Sequence, residues 1–204
     1  MTEAEARAWI ERRFGPEVTA RVARFADQVV RESEHQNLVA RSTLDSIWSR
    51  HILDSAQLIP LAGTVDAATR WLDIGSGAGF PGVVVALLTT AQVTLVEPRR
   101  RRVEFLREAL ADSPKATVLL AKVETISIEP QHVISARAVA PVDELLRATR
   151  HVADISTRYI LPRGRSAHAE LESARCGWHG LFHVEPSITD VESGILIAEK
   201  VRIR

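Results

Sequence analysis

A doubly wound α/β domain with an N-terminal helical cap is predicted by three observations. From Arg70 onward, short apolar strands alternate with helical stretches, the pattern of βαβ units around a mostly parallel sheet. Two late apolar segments, Leu181–Val184 and Gly194–Val201, have no helix between them and are expected to pair antiparallel at one edge. The first 62 residues show only helical periodicity.

Within the cap, Pro16 suits a first helical turn, and Val18, Val22, Phe25 and Val29 continue one apolar stripe to about Glu34. A second amphipathic helix is expected from Ser42, where Ser42 and Asp45 resemble a capping box, with Leu44, Ile47, Trp48, Ile52 and Leu53 turned inward. Ala62-Gly63-Thr64 breaks this pattern, dividing a cap (residues 1–62) from the α/β unit (63–204), the two forming one compact body. Strands are expected at Trp71–Ile74, Val93–Val96, Thr117–Leu120, Val133–Ser135 and Tyr159–Leu161. Helices are expected at Pro81–Thr89, Arg99–Ala111, Pro141–His151 and Ser166–Arg175.

Composition narrows the class. With 204 residues, 46% apolar and 25% charged, the chain can bury a core and is neither disordered nor fibrous. Its one cysteine, Cys176, can form no internal disulfide and no multi-cysteine zinc site; it is expected to be inert, in a reducing cytoplasm. No apolar run approaches the ~18 residues of a membrane span. The N-terminus, with Glu3 and Glu5 and no basic flank, is not a signal peptide. Lys+Arg and Asp+Glu balance at 26 each, against wholesale coating of nucleic acid. Yet residues 99–165 hold 13 basic against 8 acidic side chains, an excess of five, so a polyanion is expected to meet that stretch.

The most informative run is Leu72-Asp73-Ile74-Gly75-Ser76-Gly77-Ala78-Gly79-Phe80-Pro81-Gly82, which leaves the first strand and opens a helix. Such glycines let the backbone turn sharply and let a ligand approach closely at a helix N-terminus. Glu97 closes the second strand, where a carboxylate can accept from ribose hydroxyls. The dinucleotide fingerprint wants glycine at position 80 for close helix–strand packing, and this chain has Phe80. Asp73 ahead of the loop suits S-adenosylmethionine, whose amino and carboxylate groups need an acceptor and backbone donors. NAD or another nucleotide is the alternative ligand.

Asn37-Leu38, Arg50-His51-Ile52-Leu53-Asp54-Ser55, the loop ending Phe80-Pro81-Gly82, Arg102-Val103-Glu104-Phe105-Leu106, Val123-Glu124 and Ile134-Ser135-Ala136-Arg137-Ala138 carry a resemblance over residues 35–200. The chain resembles the bacterial small-subunit (16S) ribosomal RNA guanine-N7 methyltransferases, long called glucose-inhibited division protein B. The resemblance implies a Rossmann-like S-adenosylmethionine-dependent methyltransferase fold in residues 63–204, and a monomer acting on small-subunit ribosomal RNA or a subunit precursor. It places methyl-donor contacts on Gly75 and Phe80, on Val123 and Glu124, and on Arg137. Asp73, Ser76, Gly77, Gly79 and Glu97 join that set by their place in the loop and strand. Arg137 and Arg163 are the candidate catalytic residues. Two departures stand out: Arg163-Gly164 replaces the family's usual Lys-Gly, and Ala136 replaces a serine, whose hydroxyl Ser135 on the opposite strand face does not obviously restore.

Guanine N7 carries a lone pair and no proton, so methylation needs alignment and tolerance of positive charge rather than a general base. The sequence has no Asn-Pro-Pro-aromatic run after the fourth strand, against exocyclic-amine chemistry, and the distant Cys176 disfavours cysteine-based transfer. Arg137 could hold the cofactor carboxylate, a phosphate or the guanine edge, or pair with Asp143 or Glu144. Arg99 to Arg102 at a helix start, with Arg163 and Arg165, could follow an RNA backbone, though some could pair with Glu104 or Glu108. His51 is expected to pack or to hydrogen-bond the cap to the domain. His179 and His183 are at metal-ligand spacing only if helical, and no metal is expected. The alternatives are a same-fold methyltransferase acting on a small molecule or protein, and a non-catalytic S-adenosylmethionine-binding module.

Overall fold

The computed structural model describes all residues from Met1 to Arg204. Helix α1 (Glu3–Phe14) opens with a capping box: the Thr2 hydroxyl accepts from the Glu5 N–H at 3.2 Å and the Glu5 carboxylate accepts from the Thr2 N–H at 2.7 Å. Helix α2 (Pro16–Glu32) begins at Pro16 and buries Val22, Phe25 and Val29, the predicted stripe. The second cap helix departs from expectation. A 3-10 turn (Arg41–Ser46) and a π-helical turn (Trp48–Ile52) precede two single turns, α3 (Leu53–Ala56) and α4 (Leu58–Leu61). The reason is tertiary: the Glu3 carboxylate takes the N–H groups of Trp48 and Ser49 at 2.9 and 2.8 Å, removing two donors from any continuous helical ladder.

The α/β unit follows as β1 (Arg70–Ile74), α5 (Gly82–Leu88), β2 (Gln92–Glu97), α6 (Arg100–Ala109), β3 (Ala116–Leu120), β4 (Val133–Ala136), α7 (Val142–Ala148), β5 (Arg158–Gly164), α8 (Ala167–Gly177), β6 (Trp178–Pro186) and β7 (Gly194–Ile203). One seven-stranded sheet has the order β3-β2-β1-β4-β5-β7-β6, with β7 antiparallel to both neighbours and the other pairs parallel. The predicted antiparallel edge is therefore present, its strands longer than the apolar segments alone indicate.

Strand order reverses between β1 and β4, so the carboxyl ends of these strands splay apart and open a crevice, the usual ligand position in open α/β sheets. The cap covers one sheet face: Phe25 of α2 lies 5.4 Å from Phe80 and 6.4 Å from Phe105, and the cap residues share one apolar cluster with α5, α6, β1 and β2. A second cluster packs α7 and α8 on the opposite face. No helix is long and apolar enough to cross a membrane.

Candidate active site

At the end of β1 the glycine loop folds back on β2. Gly75 and Ser76 donate to the Val96 carbonyl at 2.8 and 3.3 Å, while the Glu97 carboxylate accepts from Gly77 N–H and Arg99 N–H, both at 2.9 Å. Glu97 thus ties the loop to the start of α6. A Cβ on Gly75 would lie 2.7 Å from Val139, and one on Gly82 would lie 2.6 Å from the Asp73 carboxylate and 2.9 Å from Leu95. The close helix–sheet approach that a glycine at position 80 would provide in a dinucleotide site is made here by Gly82.

A cavity of about 390 Å³ sits over the carboxyl ends of β1, β2 and β3. Gly75, Glu97, Val123 and Glu124, all predicted cofactor residues, line it together with Ile74, Val96 and Leu145; Arg99 and Arg102 stand at its wall. Other predicted residues lie elsewhere. Asp73 is fully buried beneath α5, accepting from Ser135 Oγ at 2.8 Å and Gly82 N–H at 3.1 Å, and burial pushes its carboxyl up to about 6. It braces the loop instead of facing the cavity. Ser76, Gly77 and Gly79 are likewise absent from the lining, and the Phe80 ring turns to the cap, against Phe25 and His51. Ser135 accepts from Trp71 Nε1–H at 2.9 Å and donates to Asp73, so it does not replace the hydroxyl missing at Ala136.

Arg137 enters a second, strongly polar cavity of about 400 Å³ between the cap, β5 and the β6–β7 connection. Its Nη1 donates to Asp54 at 3.2 Å and its Nη2 reaches His51 Nδ1 at 3.1 Å, with the guanidinium 5.3 Å from the Phe80 ring centre. The partner carboxylate is therefore Asp54, and neither Asp143 nor Glu144: Asp143 is held by Arg147 at 3.0 Å and by Trp178 at 2.8 Å. Because a guanidinium only donates, Nδ1 of His51 accepts, and Nε2–H donates to Thr43 Oγ at 2.8 Å. Burial, then the Arg137 and Arg50 charges, push the His51 ring down to about 3. His51 is a neutral hydrogen-bonding link between cap and domain, as its place in the sequence suggested.

Asp54 is the hub that local sequence reading missed. Besides Arg137 it accepts from Gln57 and Thr189, each at 2.9 Å, and Gln57 also donates to Ser187 at 3.0 Å, so the cap grips the β6–β7 connection. Arg163 proves different from expectation. Its side chain is 5% exposed, Nη1 donates to the Ala140 carbonyl at 2.9 Å, and Nε and Nη2 are buried without a hydrogen-bond partner, Glu170 lying 3.6 Å from Nε. It is not a surface cation for RNA. The two cavities meet at Ala138, whose φ of 55° places it in the left-handed region. Arg102 donates to the Asn37 carbonyl at 3.2 Å rather than pairing with Glu104 or Glu108. His179 and His183 lie on β6, across a register shift, and not one helical turn apart; Cys176 is exposed.

Neutral His51 links acid stability to this site. The unfolded ring takes a proton near 6.5, the folded one only near 3. The stability contributed by the neutral ring is full above pH 6.5 and is lost as pH falls toward 3, by up to about 1.4 kcal/mol per pH unit. Asp73 acts in the opposite sense: its contribution is full below its ordinary value of 3.8 and is lost as pH rises through about 6. Thermal melts of wild type and His51→Gln across this range are expected to converge on acidification, the wild type losing stability faster.

Comparison with known proteins places this geometry. The GidB family model, described as rRNA small subunit methyltransferase G, matches residues 19–193. A protein named ribosomal RNA small subunit methyltransferase G from Rhizorhabdus wittichii is 47% identical over 208 residues, covering 100% of this chain and 95% of its own. Among solved structures, MtNAS in complex with MTA and tNA aligns with a TM-score of 0.61 at 17% identity, over 86% of this chain and 69% of that one. A putative S-adenosyl-L-methionine-dependent methyltransferase from Methanococcus maripaludis aligns with a TM-score of 0.56 at 15% identity, over 85% of this chain and 91% of that one.

Proposed function

The chain belongs to the family of rRNA small subunit methyltransferase G, and from that premise we propose that it transfers a methyl group from S-adenosylmethionine to N7 of a guanine in small-subunit ribosomal RNA. The observation that carries this reading is the pair of cavities meeting at Ala138, one at the glycine loop and one polar and open to a base.

The first cavity fits the cofactor. Ile74, Val96 and Leu145 offer apolar walls to a flat ring, Glu97 offers a carboxylate to ribose hydroxyls, and Gly75 permits an approach that a Cβ would block. When bound, S-adenosylmethionine supplies an activated methyl group on a positively charged sulfur. In the transfer the S–CH₃ bond breaks as the N7–CH₃ bond forms, and the positive charge passes from sulfur to the ring; no proton moves. The chain's task is to hold N7 in line and accept a cation. Arg137 arrives already neutralised by Asp54, and His51 stays uncharged, so neither opposes that charge strongly. An unpaired base is needed, which an RNA loop presents and a duplex does not.

Arg99, Arg100 and Arg101 are exposed at the start of α6, beside the cofactor cavity. Arg100→Glu is expected to weaken RNA binding and reduce the slope of log affinity against log salt by about one; an unchanged slope would remove Arg100 from the interface. Arg163, being buried, is no test of that surface, and Arg165 is paired with Glu192. The reading extends to a single-chain cytoplasmic enzyme, the compartment being supported by the lone cysteine, which has no second cysteine to pair with in the chain.

Mapping N7-methylguanine in small-subunit RNA from cells with and without this gene tests the proposal. Loss at one position is expected. Labelled methyl appearing only in protein or metabolites would overturn it.

A further inference from the structure

We propose that Arg163 and Glu170 read the Watson–Crick edge of the target base and so select guanine; this rests on the guanine-N7 reading above. If N7 is to meet the methyl group, that edge of the ring must stay free of protein donors and face the cofactor cavity. Recognition must then come from the other edge, where guanine offers an acceptor, O6, beside two donors, N1–H and the 2-amino group. Adenine offers the reverse order, a 6-amino donor beside the N1 acceptor.

The polar cavity holds a matching donor and acceptor side by side. Arg163 contributes Nε–H and Nη2–H, buried and unpartnered. Glu170, one helix turn into α8, lies 3.6 Å from Arg163 Nε and also lines the cavity. Its Oε1 accepts from Ser166 Oγ at 2.6 Å and its Oε2 from Val142 N–H at 3.2 Å, which fix the carboxylate in place. A carboxylate has about four acceptor sites, so two remain for N1–H and the 2-amino group. The other charged groups in the cavity are engaged: Arg137 with Asp54, and Arg50 with Asp190. Arg163 and Glu170 face each other as an ion pair at 3.6 Å, but Arg163 Nε and Nη2 make no hydrogen bond, and leaving buried donors unpaired is costly unless a ligand completes them. Ala140, whose carbonyl Arg163 holds at 2.9 Å, lines the cofactor cavity, so the pair lies beside the boundary between the two cavities, where the methyl group would be presented.

The arrangement also favours the reaction. As the ring becomes cationic, N1–H becomes a stronger donor, and its hydrogen bond to the Glu170 carboxylate strengthens in the transition state more than in the ground state. Glu170 therefore acts on kcat as well as on base choice.

The test uses reconstituted small-subunit RNA carrying a single inosine in place of the guanine located by the mapping experiment. Inosine keeps N7, O6 and N1–H and lacks only the 2-amino group. With the wild-type enzyme, kcat/KM is expected to fall about ten- to a hundredfold on inosine, the usual cost of losing a hydrogen bond to a charged group. Glu170→Gln is expected to lower kcat on guanine by a similar factor with a smaller change in KM, and to shrink the guanine-to-inosine preference to within about threefold, since the partner is already weakened. Equal rates on guanine and inosine with the wild-type enzyme overturn the inference without needing any variant. So does an unchanged preference in Glu170→Gln. Failure of the wild type to methylate the guanine RNA overturns the underlying reading instead.

Discussion

Arg137→Ala is expected to lower kcat/KM for methyl transfer by at least about a hundredfold while changing cofactor affinity by less than about threefold. The side chain closes an ion pair with Asp54, a hydrogen bond to His51 and a contact with the Phe80 ring; Asp54 and His51 line the polar cavity, and none of the three lines the cofactor cavity. Removing one partner of a largely buried pair leaves Asp54 uncompensated and costs about 3–5 kcal/mol at such sites, and each 1.36 kcal/mol that reaches the barrier is tenfold in rate. Asp54 also anchors Gln57 and Thr189, so the loss spreads to the β6–β7 connection. Transfer of labelled methyl to subunit RNA, with cofactor titration by calorimetry, separates the two readouts. An equal loss in both would move Arg137 to the cofactor carboxylate.

Gly82→Ala is expected to be strongly destabilising through overpacking alone, with no change of backbone region. Its Cβ would meet the Asp73 carboxylate at 2.6 Å, Asp73 Cβ at 2.9 Å and Leu95 at 2.9 Å, all on strands that cannot retreat. Overpacking of this kind costs about 1–3 kcal/mol or more, and in a chain of this size each kcal/mol lowers Tm by about 2–4 °C. It would also disturb the N–H that Gly82 donates to Asp73 at 3.1 Å. A melting temperature within 2 °C of wild type would show that α5 can lift from the sheet, contrary to its burial on every side.

Much of this molecule is legible in its sequence. The strand–helix alternation after Arg70, the antiparallel edge and the stripe on α2 follow from periodicity, because burial of one face imposes its repeat on any helix or strand. The cofactor cavity is half legible: Gly75, Glu97, Val123 and Glu124 line it, since each sits at or just after a strand end, and strand ends must converge at the point where sheet order reverses. Asp73 lies one residue from that end and faces the opposite side of the strand, beneath α5.

The polar cavity is not legible in any local pattern. Asp54 meets Arg137 across 83 residues and Thr189 across 135, separations at which no spacing rule operates. The same holds for the cap, where Glu3 captures the amides of Trp48 and Ser49 and replaces a regular helix by tight and wide turns.

By itself, then, the amino-acid sequence determined the layers of the fold, the glycine loop with its acid, and the family, all properties of local periodicity and contiguous motifs. The tertiary structure alone decided which charged groups are spent and which remain. Arg163 illustrates the difference: on the sequence it is one more cation near a strand end, and in the fold it is a buried fork with two donors unused. Burial and partnership are set by what packs from distant parts of the chain, and for a charged side chain they determine whether it faces solvent, braces the fold or awaits a ligand.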